Sequence, residues 1–461
     1  MFHLKHSCEL KRNTHTRTKP LCDQPFIDTC GPCPKTKMKH IVKYLFLTAA
    51  LCVTAFSQVP TTTAIQILKA EDARRYDAVL EKLLSSPNAA IRERAALAVG
   101  RIGDDKAIPA LTALLEKDQS EQVRVMAAFA IGEIESAKGS DVILKTLKDP
   151  KTADEVRARA VEAAGKIAAA NAKDAKSKDL GEAILETIGS EDDNGVKPSH
   201  DTVLLGITAV LRARPANGDA IVARYLKSAD ASIRADAANT LSRIRATNAN
   251  SALHAILIRD ADPDARANAA KALGAAVDVG AFDLLLNSAL TDTDSRVRVS
   301  AIRSLVSIKA VKAADKLVER GEKLLVESKR SKFAHPAEKN EMIEIATVLG
   351  RLLAGTGHTR AVKFLDEFAI LDDARTPEIS VARIRVKPGE FDNSTHKNLS
   401  WHQLVNAAQA TAEMATIEPK NDDVKKMKAG APGLLKEAVE DINGGGADKK
   451  SIYAWPEYLR A

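Results

Sequence analysis

The sequence predicts an all-α fold, a solenoid (α-α superhelix) built from antiparallel helix pairs, and three observations predict it. One register returns along the chain: NAAIRERAALAVG at 88–100, EQVRVMAAFAIG at 121–132 and DPDARANAAKALG at 262–274 share an Arg, a small residue three positions later and a closing Gly. The apolar residues inside each copy are spaced by three and four, the period of one helical face. Hydrophobic residues make up 45% of 461 but aromatics only 4%, so the core must be built from small and branched side chains, as stacked helices allow.

Aligned on the Arg, the copies are Ile91-Arg92, Val123-Arg124, Val156-Arg157, Ile233-Arg234, Ala265-Arg266 and Val297-Arg298. Their spacing of 32 or 33 residues, with one longer gap, is the period of a repeat array. The gap holds a degenerate copy, VLLGITAVLRA, with Leu204 read into the Arg slot; an eighth copy, EMIEIATVLG (341–350), follows an insertion. Each unit therefore reads as helix A, a turn, then helix B. Helix A is a shorter apolar stretch, such as AIPALTALLEKD (107–118) or AFDLLLNSALTD (281–292). In the turn, Asn88, Asp230, Asp262, Asp264 and Asp294 precede helix B, where side-chain oxygens can take up its free N–H groups. Ala95, Ala127, Ala160, Ala237, Ala269 and Ala301 are small where helices must approach, and Gly100, Gly132, Gly165 and Gly274 stand where a large side chain would collide with a neighbour.

The array spans 72–371. Residues 1–37 read as an artefactual or disordered leader, because MKHIVKYLFLTAALCVTAFSQ, beginning at Met38, has the form of a secretory signal peptide. It carries basic Lys39 and Lys43, an apolar run from Tyr44 to Phe56, and small Ala55 and Ser57 before Gln58. The run is shorter than the roughly 20 residues a membrane span needs, so cleavage is expected and no stable membrane span thereafter. All five cysteines precede residue 58, and residues 1–57 carry nine Lys/Arg against three Asp/Glu. The exported chain, expected in the periplasm or secreted, would thus lack cysteine and be close to neutral, which removes the case for a nucleic-acid partner. Residues 372–461 form a C-terminal extension, mostly helical. In it PEISVARIRVKPGEF (377–391) reads as a short strand or extended crossing, 401–417 and 421–442 as helices, and SIYAWPEYLRA as an aromatic tail that caps the last repeat or docks a partner.

The pattern P-A-L-x-x-L-L-x-x-D followed by V-R-x-x-A-A-x-A-x-G resembles the HEAT repeat, in particular the short bacterial variety also found in phycobilisome lyases; Pro109-Ala110-Leu111, Asp118 and Val123-Arg124 match most fully. The resemblance covers about residues 72–356, some eight units. It implies that the turn Asp and the Arg opening helix B form hydrogen-bond ladders between units; Asp118, Asp230, Asp260 or Asp262, and Asp292 or Asp294 lie at suitable distances before their Arg. A group repeated at equal spacing is architecture rather than several active sites.

Motifs for chemistry fail in their contexts. Cys30-Gly31-Pro32-Cys33 resembles the thioredoxin motif but lacks the strand and helix around it. Asp260, Asp262 and Asp264 have the opening spacing of an EF-hand, but Ala265 and Lys271 stand where Gly and Glu are needed. The six later histidines, His200, His254, His335, His358, His396 and His402, form no ligand pattern, and the His-Glu pairs of the HEAT-repeat deoxyhypusine hydroxylases are missing. Gly355-Thr356-Gly357 reads as a helix stop, and the stretches 169–179 and 189–201 as solvated loops. The expectation is a non-catalytic scaffold for a protein partner, with no catalytic, cofactor-binding or metal residues and no cofactor. The alternatives are an accessory module of an exported enzyme, for example of a prolyl isomerase-type system, or a lyase-like enzyme with a site assembled across repeats. Intact mass spectrometry of the exported chain is expected to show an N-terminus at Gln58; an N-terminus at Met1 or Met38 would contradict the processing.

Overall fold

The computed structural model describes residues 59–189, 198–373 and 376–387, and among these every regular element is helical. A lone helix, α1 (Thr61–Asp72), comes first. The A helices are α2 (Ala78–Leu84), α4 (Ile108–Lys117), α6 (Ser140–Lys148), α8 (Ala175–Gly189), α10 (Gly218–Arg224), α12 (Asn250–Arg259), α14 (Phe282–Thr291), α16 (Ala314–Ser331) and α18 (Thr359–Leu371). Their B partners are α3 (Ala89–Ile102), α5 (Glu121–Ile134), α7 (Asp154–Ala170), α9 (His200–Ala213), α11 (Ala231–Ile244), α13 (Pro263–Ala275), α15 (Ser295–Ser307), α17 (Pro336–Leu352) and α19 (Pro377–Val386). Each B helix packs on its own A helix and on the B helices before and after it, which is the all-α superhelical solenoid. The leader, the signal segment, the Cys30–Cys33 motif, His396, His402 and the C-terminal helices and tail lie outside the described residues.

Local chemistry sets the helix boundaries. Asn88, Asp230, Asp262 and Asp294 accept backbone N–H bonds at the starts of α3, α11, α13 and α15, each supplying the first turn with an acceptor it would otherwise lack. Asp264 instead lies inside the first turn of α13 and pairs with Arg296 at 2.5 Å. At the far end, α3 stops at Gly103, whose φ of +79° suits glycine; Glu135, Arg214 and Arg245 take the same left-handed position after α5, α9 and α11.

The B helices touch through their smallest residues. A methyl group built on Gly100 would lie 2.8 Å from Ala130 Cα, one on Gly132 2.8 Å from Ala163 Cα, and one on Gly165 2.6 Å from Ala209 Cα. Gly350 meets Ala382 in the same way, at 2.7 Å. These contacts correct the register of the degenerate unit. The residue facing the Gly lies six positions after the Arg slot, so Ala209 places Val203, not Leu204, in that slot; Val203 is also four residues past the cap Ser199, as Arg92 is past Asn88. The Arg slot is filled there by a buried Val with no polar group to pair.

The stack runs beyond 72–371 at both ends, because α1 packs on α3 and α19 on α17. Residues 377–386 of the segment expected as a strand or extended crossing are a helix instead. Pro377 occupies its first turn, where a missing N–H is harmless. Burial of Ile379, Ala382 and Val386 outweighs the β preference of its branched residues. Gly355 and Gly357, both at positive φ, follow the end of α17, and their N–H groups donate to Arg385 O at 2.7 Å and Val386 O at 2.8 Å, closing the last hairpin. The stretch 169–179, expected as a loop, is helical at both ends, with only a short turn between α7 and α8.

Arginine rungs cross the units on the edge where A turns into B. Arg92 donates through Nε and Nη2 to both oxygens of Asp118, at 2.7 Å each, and through Nη1 to Ser86 O of its own turn. Arg234 repeats this with Asp260 (2.7 and 2.8 Å) and Arg266 with Asp292 (2.9 Å twice). Of the alternatives left by the sequence, therefore, Asp118, Asp260 and Asp292 are rungs, while Asp230, Asp262 and Asp294 are caps. Arg124 and Arg157 reach only backbone carbonyls of their own turns, apart from a loose 3.9 Å approach of Arg124 to Glu121, because the residue 26 positions after each is Pro150 or Ala183. Arg298 finds its acid in Glu341, fully buried on α17 and also held by Arg320 at 2.7 Å.

Two outcomes are expected. Gly132→Val drives a side chain into the backbone of α7 and should lower unfolding free energy by about 2–3 kcal/mol or more, read by urea denaturation; an unchanged midpoint would contradict the contact. Hydrogen bonds from Arg234 hold the Asp260 carboxyl below its ordinary range, against the opposing effect of burial. A carboxylate with a lowered folded pKa contributes stability above its unfolded pKa of about 3.9 and loses it as pH falls through the folded value. Asp260→Asn should therefore cost about 1.5–3 kcal/mol at pH 7, with the gap from wild type closing below about pH 4.

Candidate functional site

With the Arg slot as position 0, positions 3, 4, 6 and 7 of the regular B helices are buried, position 8 is buried or half-buried, and positions 2, 5 and 9 are half-buried or exposed except at Ser300 and Lys166. The buried set repeats from unit to unit and the outer set does not, so the outer face of the B helices is where this chain is individual. Position 2 holds Arg94, Met126, Arg159, Leu205, Asp236 and Asn268; position 5 holds Leu97, Phe129, Glu162, Thr208, Asn239 and Lys271. Position 9 holds Arg101, Glu133, Lys166, Arg212, Arg243 and, on α17, Arg351.

The densest constellation on this face joins α5 to α7. Lys166 is 6% exposed, with Nζ 2.5 Å from Glu133 Oε1, 2.6 Å from Glu162 Oε1 and 4.7 Å from the centre of the Phe129 ring. The Arg159 guanidinium lies 5.5 Å from the same ring and donates to Glu162 Oε2 at 2.7 Å. Two cations thus share one aromatic ring and one carboxylate. Burial alone would push the Glu162 carboxyl up, but the hydrogen bonds from Lys166 and Arg159 outweigh it and hold the group below the ordinary range. A similar knot precedes it: Glu71 on α1 takes Arg94 at 2.5 Å and Arg101 at 3.3 Å.

Sequence reasoning missed these constellations, since the ion pairs that join one helix to another span 23 to 33 residues. The one available signal was the single aromatic in the outer positions of an Ala-rich B helix, Phe129. Glu341 also carried a signal, because it stands in the slot just before position 0, where most other units have Val, Ile or Ala.

The residues weighed for chemistry are scattered. Asp260 holds Arg234, Asp262 caps α13 and Asp264 pairs with Arg296, so the three carboxylates face three different partners. His254 bonds Asp278 at 2.7 Å, His358 caps α18, and exposed His200 lies beside Asp201 and Asp230. Among the described residues no three His, Cys, Asp or Glu side chains group as metal ligands, and no helix is long and apolar enough to cross a membrane. A cleft of about 530 Å³ opens beside the degenerate unit, lined by Asp174, Lys178, Glu182, Leu185 and the Arg214–Pro215 turn. A second of about 250 Å³ lies on the other side of that turn. Both occur next to the units that lack the arginine rung.

Lys166→Ala should cost about 1.5–3 kcal/mol in chemical denaturation and raise the Glu162 carboxyl toward the ordinary range in a pH titration. An unmoved Glu162 would contradict the pairing.

Comparison of the sequence with curated proteins finds no match. The family model described as HEAT repeats matches residues 49–124, 108–196 and 250–323. Among solved structures, the Kap95 chain of a Kap95:Nup1 complex superposes with a TM-score of 0.57 at 12% identity, over 83% of this chain and 55% of that one. The Escherichia coli protein YibA gives 0.45 at 17% identity, over 62% and 98%. The CpcE–CpcF phycocyanin lyase of Nostoc sp. PCC7120 gives 0.31 at 18%, over 50% and 86%. With the helix pairs, the arginine rungs and the family match in agreement, the chain is a HEAT-repeat protein.

Proposed function

We propose that the chain is a non-catalytic scaffold that binds a protein partner on the outer face of its B helices, outside the cytoplasm. One observation carries the reading. From α3 to α17 the buried positions of these helices repeat, while positions 2, 5 and 9 hold a changing set of apolar, amide and charged groups in a regular row. Such a surface suits recognition by distributed contacts, with aromatic and arginine side chains such as Phe129 and Arg159 as anchors. The Kap95 solenoid, alike in fold, was solved with Nup1 in a complex, which supports partner binding as a use of this architecture. The location rests on the signal-like segment 38–57.

A second reading is an accessory module of an exported enzyme, and a third is an enzyme with a site assembled across units, as the lyase among the similar structures illustrates. Co-purification from a periplasmic or secreted fraction, followed by hydrogen–deuterium exchange of the complex, separates them. The expected result is one protein partner and slowed exchange on the B helices. Recovery of an enzyme in stoichiometric amount would favour the accessory module. Stoichiometric iron or zinc in the purified chain, with turnover, would favour the enzyme.

A further inference from the structure

Cations on the outer B face of α3, α7 and α15 are paired with acids, whereas among the described residues those on α9, α11 and α13, and Arg351 on α17, are not. Arg94 and Arg101 share Glu71, Arg159 and Lys166 share Glu162 while Lys166 also binds Glu133, and Arg303 pairs with Glu344 at 2.7 Å. Between them, on α9, α11 and α13, stand Arg212, Arg243 and Lys271, all exposed. Among the described residues none of the three has an acidic partner, Lys271 only donating to Asn268 Oδ1 at 3.1 Å. Arg212 and Arg243 hold position 9 and Lys271 position 5, one helical turn or about 6 Å nearer the start of its helix, so the three stand on consecutive B helices in a staggered line. Asp236 is the acid on this stretch, at position 2, seven residues or about 10 Å along the helix from Arg243 and three positions from the level of Lys271. Asn239, at position 5, comes between it and Arg243 along α11.

Resting on the partner-binding reading above, we propose that this row receives an acidic peptide segment of the partner, in polyproline-II conformation, with a carboxylate at every third residue. The geometry sets the spacing. Packed helices lie about 8–10 Å apart, and a polyproline-II chain advances about 9 Å per three-residue turn with every third side chain on one side. One carboxylate therefore meets one cation per unit. An extended β strand repeats a face about every 7 Å and drifts out of step across three units. A nucleic acid fits less well, since a phosphate chain calls for a larger basic surface than three cations on a chain close to neutral after residue 57.

The test is fluorescence anisotropy with labelled peptides of three Glu-Pro-Pro repeats, three Gln-Pro-Pro repeats and three Lys-Pro-Pro repeats, titrated with the full chain. The Glu peptide is expected to bind at least tenfold more tightly than the other two and to weaken with added salt. The triple change Arg212→Glu, Arg243→Glu, Lys271→Glu should abolish the preference. The same three positions changed to Gln should weaken binding at least tenfold, and a fold check by circular dichroism accompanies both. Reversing Lys82, Lys117 and Lys148, exposed on the A helices, should leave it unchanged. Equal binding of the Gln peptide, loss of affinity in the A-helix variant, or tighter binding of single-stranded DNA than of the Glu peptide would overturn the proposal. If the co-purified partner protects the B helices from exchange while the Glu peptide does not bind, the acidic class is wrong and the scaffold reading stands. Protection confined to the A helices would overturn both.

Discussion

Successive B helices approach so closely that, at the point of contact, one helix can carry no side chain and the next no more than a small one. Gly100 against Ala130, Gly132 against Ala163 and Gly165 against Ala209 are three steps of one repeated contact. Backbone-to-backbone approach of this kind leaves no room for rings between the B helices, in keeping with an Ala-rich interior and a chain with 4% aromatics; the buried rings of Phe364 and Phe368 lie on the A helix α18. It also tolerates little variation, since a packed interior responds to even one added methylene. The contact reappears at Gly350 and Ala382, and that recurrence is what draws α19 into the stack.

The arginine rungs act on top of this packing. Each guanidinium joins the carbonyls of its own turn to the acid of the next unit, a bidentate geometry that fixes orientation as well as attraction. A rung needs an acid in one place, and two units lack it. Arg124 and Arg157 turn to backbone carbonyls of their own hairpins, while the two clefts open on the other edge, around the Arg214–Pro215 turn. Where the insertion in the eighth unit moves the turn away, Glu341 on the B helix itself substitutes. A buried carboxylate is tolerable there because two arginines hold it.

Packing and rungs consume the inward side of every B helix and leave the outward side unconstrained. The outer face is where neighbouring units differ most: a cation–aromatic knot joins α5 to α7, an uncompensated basic row crosses α9 to α13, and an ion pair links α15 to α17. The same division separates what must be conserved in chemical type for stacking from what is open to a partner.

Much of the architecture was legible in the sequence because its determinants are local. The period, the caps, the Gly at the close contact and the Arg that begins each B helix recur at fixed offsets inside one unit, and a helix repeats a face every three or four residues whatever surrounds it. Local pattern could not place Val203 rather than Leu204 in the degenerate Arg slot, since a run of apolar residues has no polar mark and only the contact of Gly165 with Ala209 sets its phase. Nor could it separate rung from cap among Asp260, Asp262, Asp292 and Asp294, or bring Phe129, Arg159 and Lys166 together, or hold 377–386 as a helix against its branched residues. Those features depend on side chains supplied by the neighbouring unit, roughly one repeat away along the chain, and become definite only when the units stack.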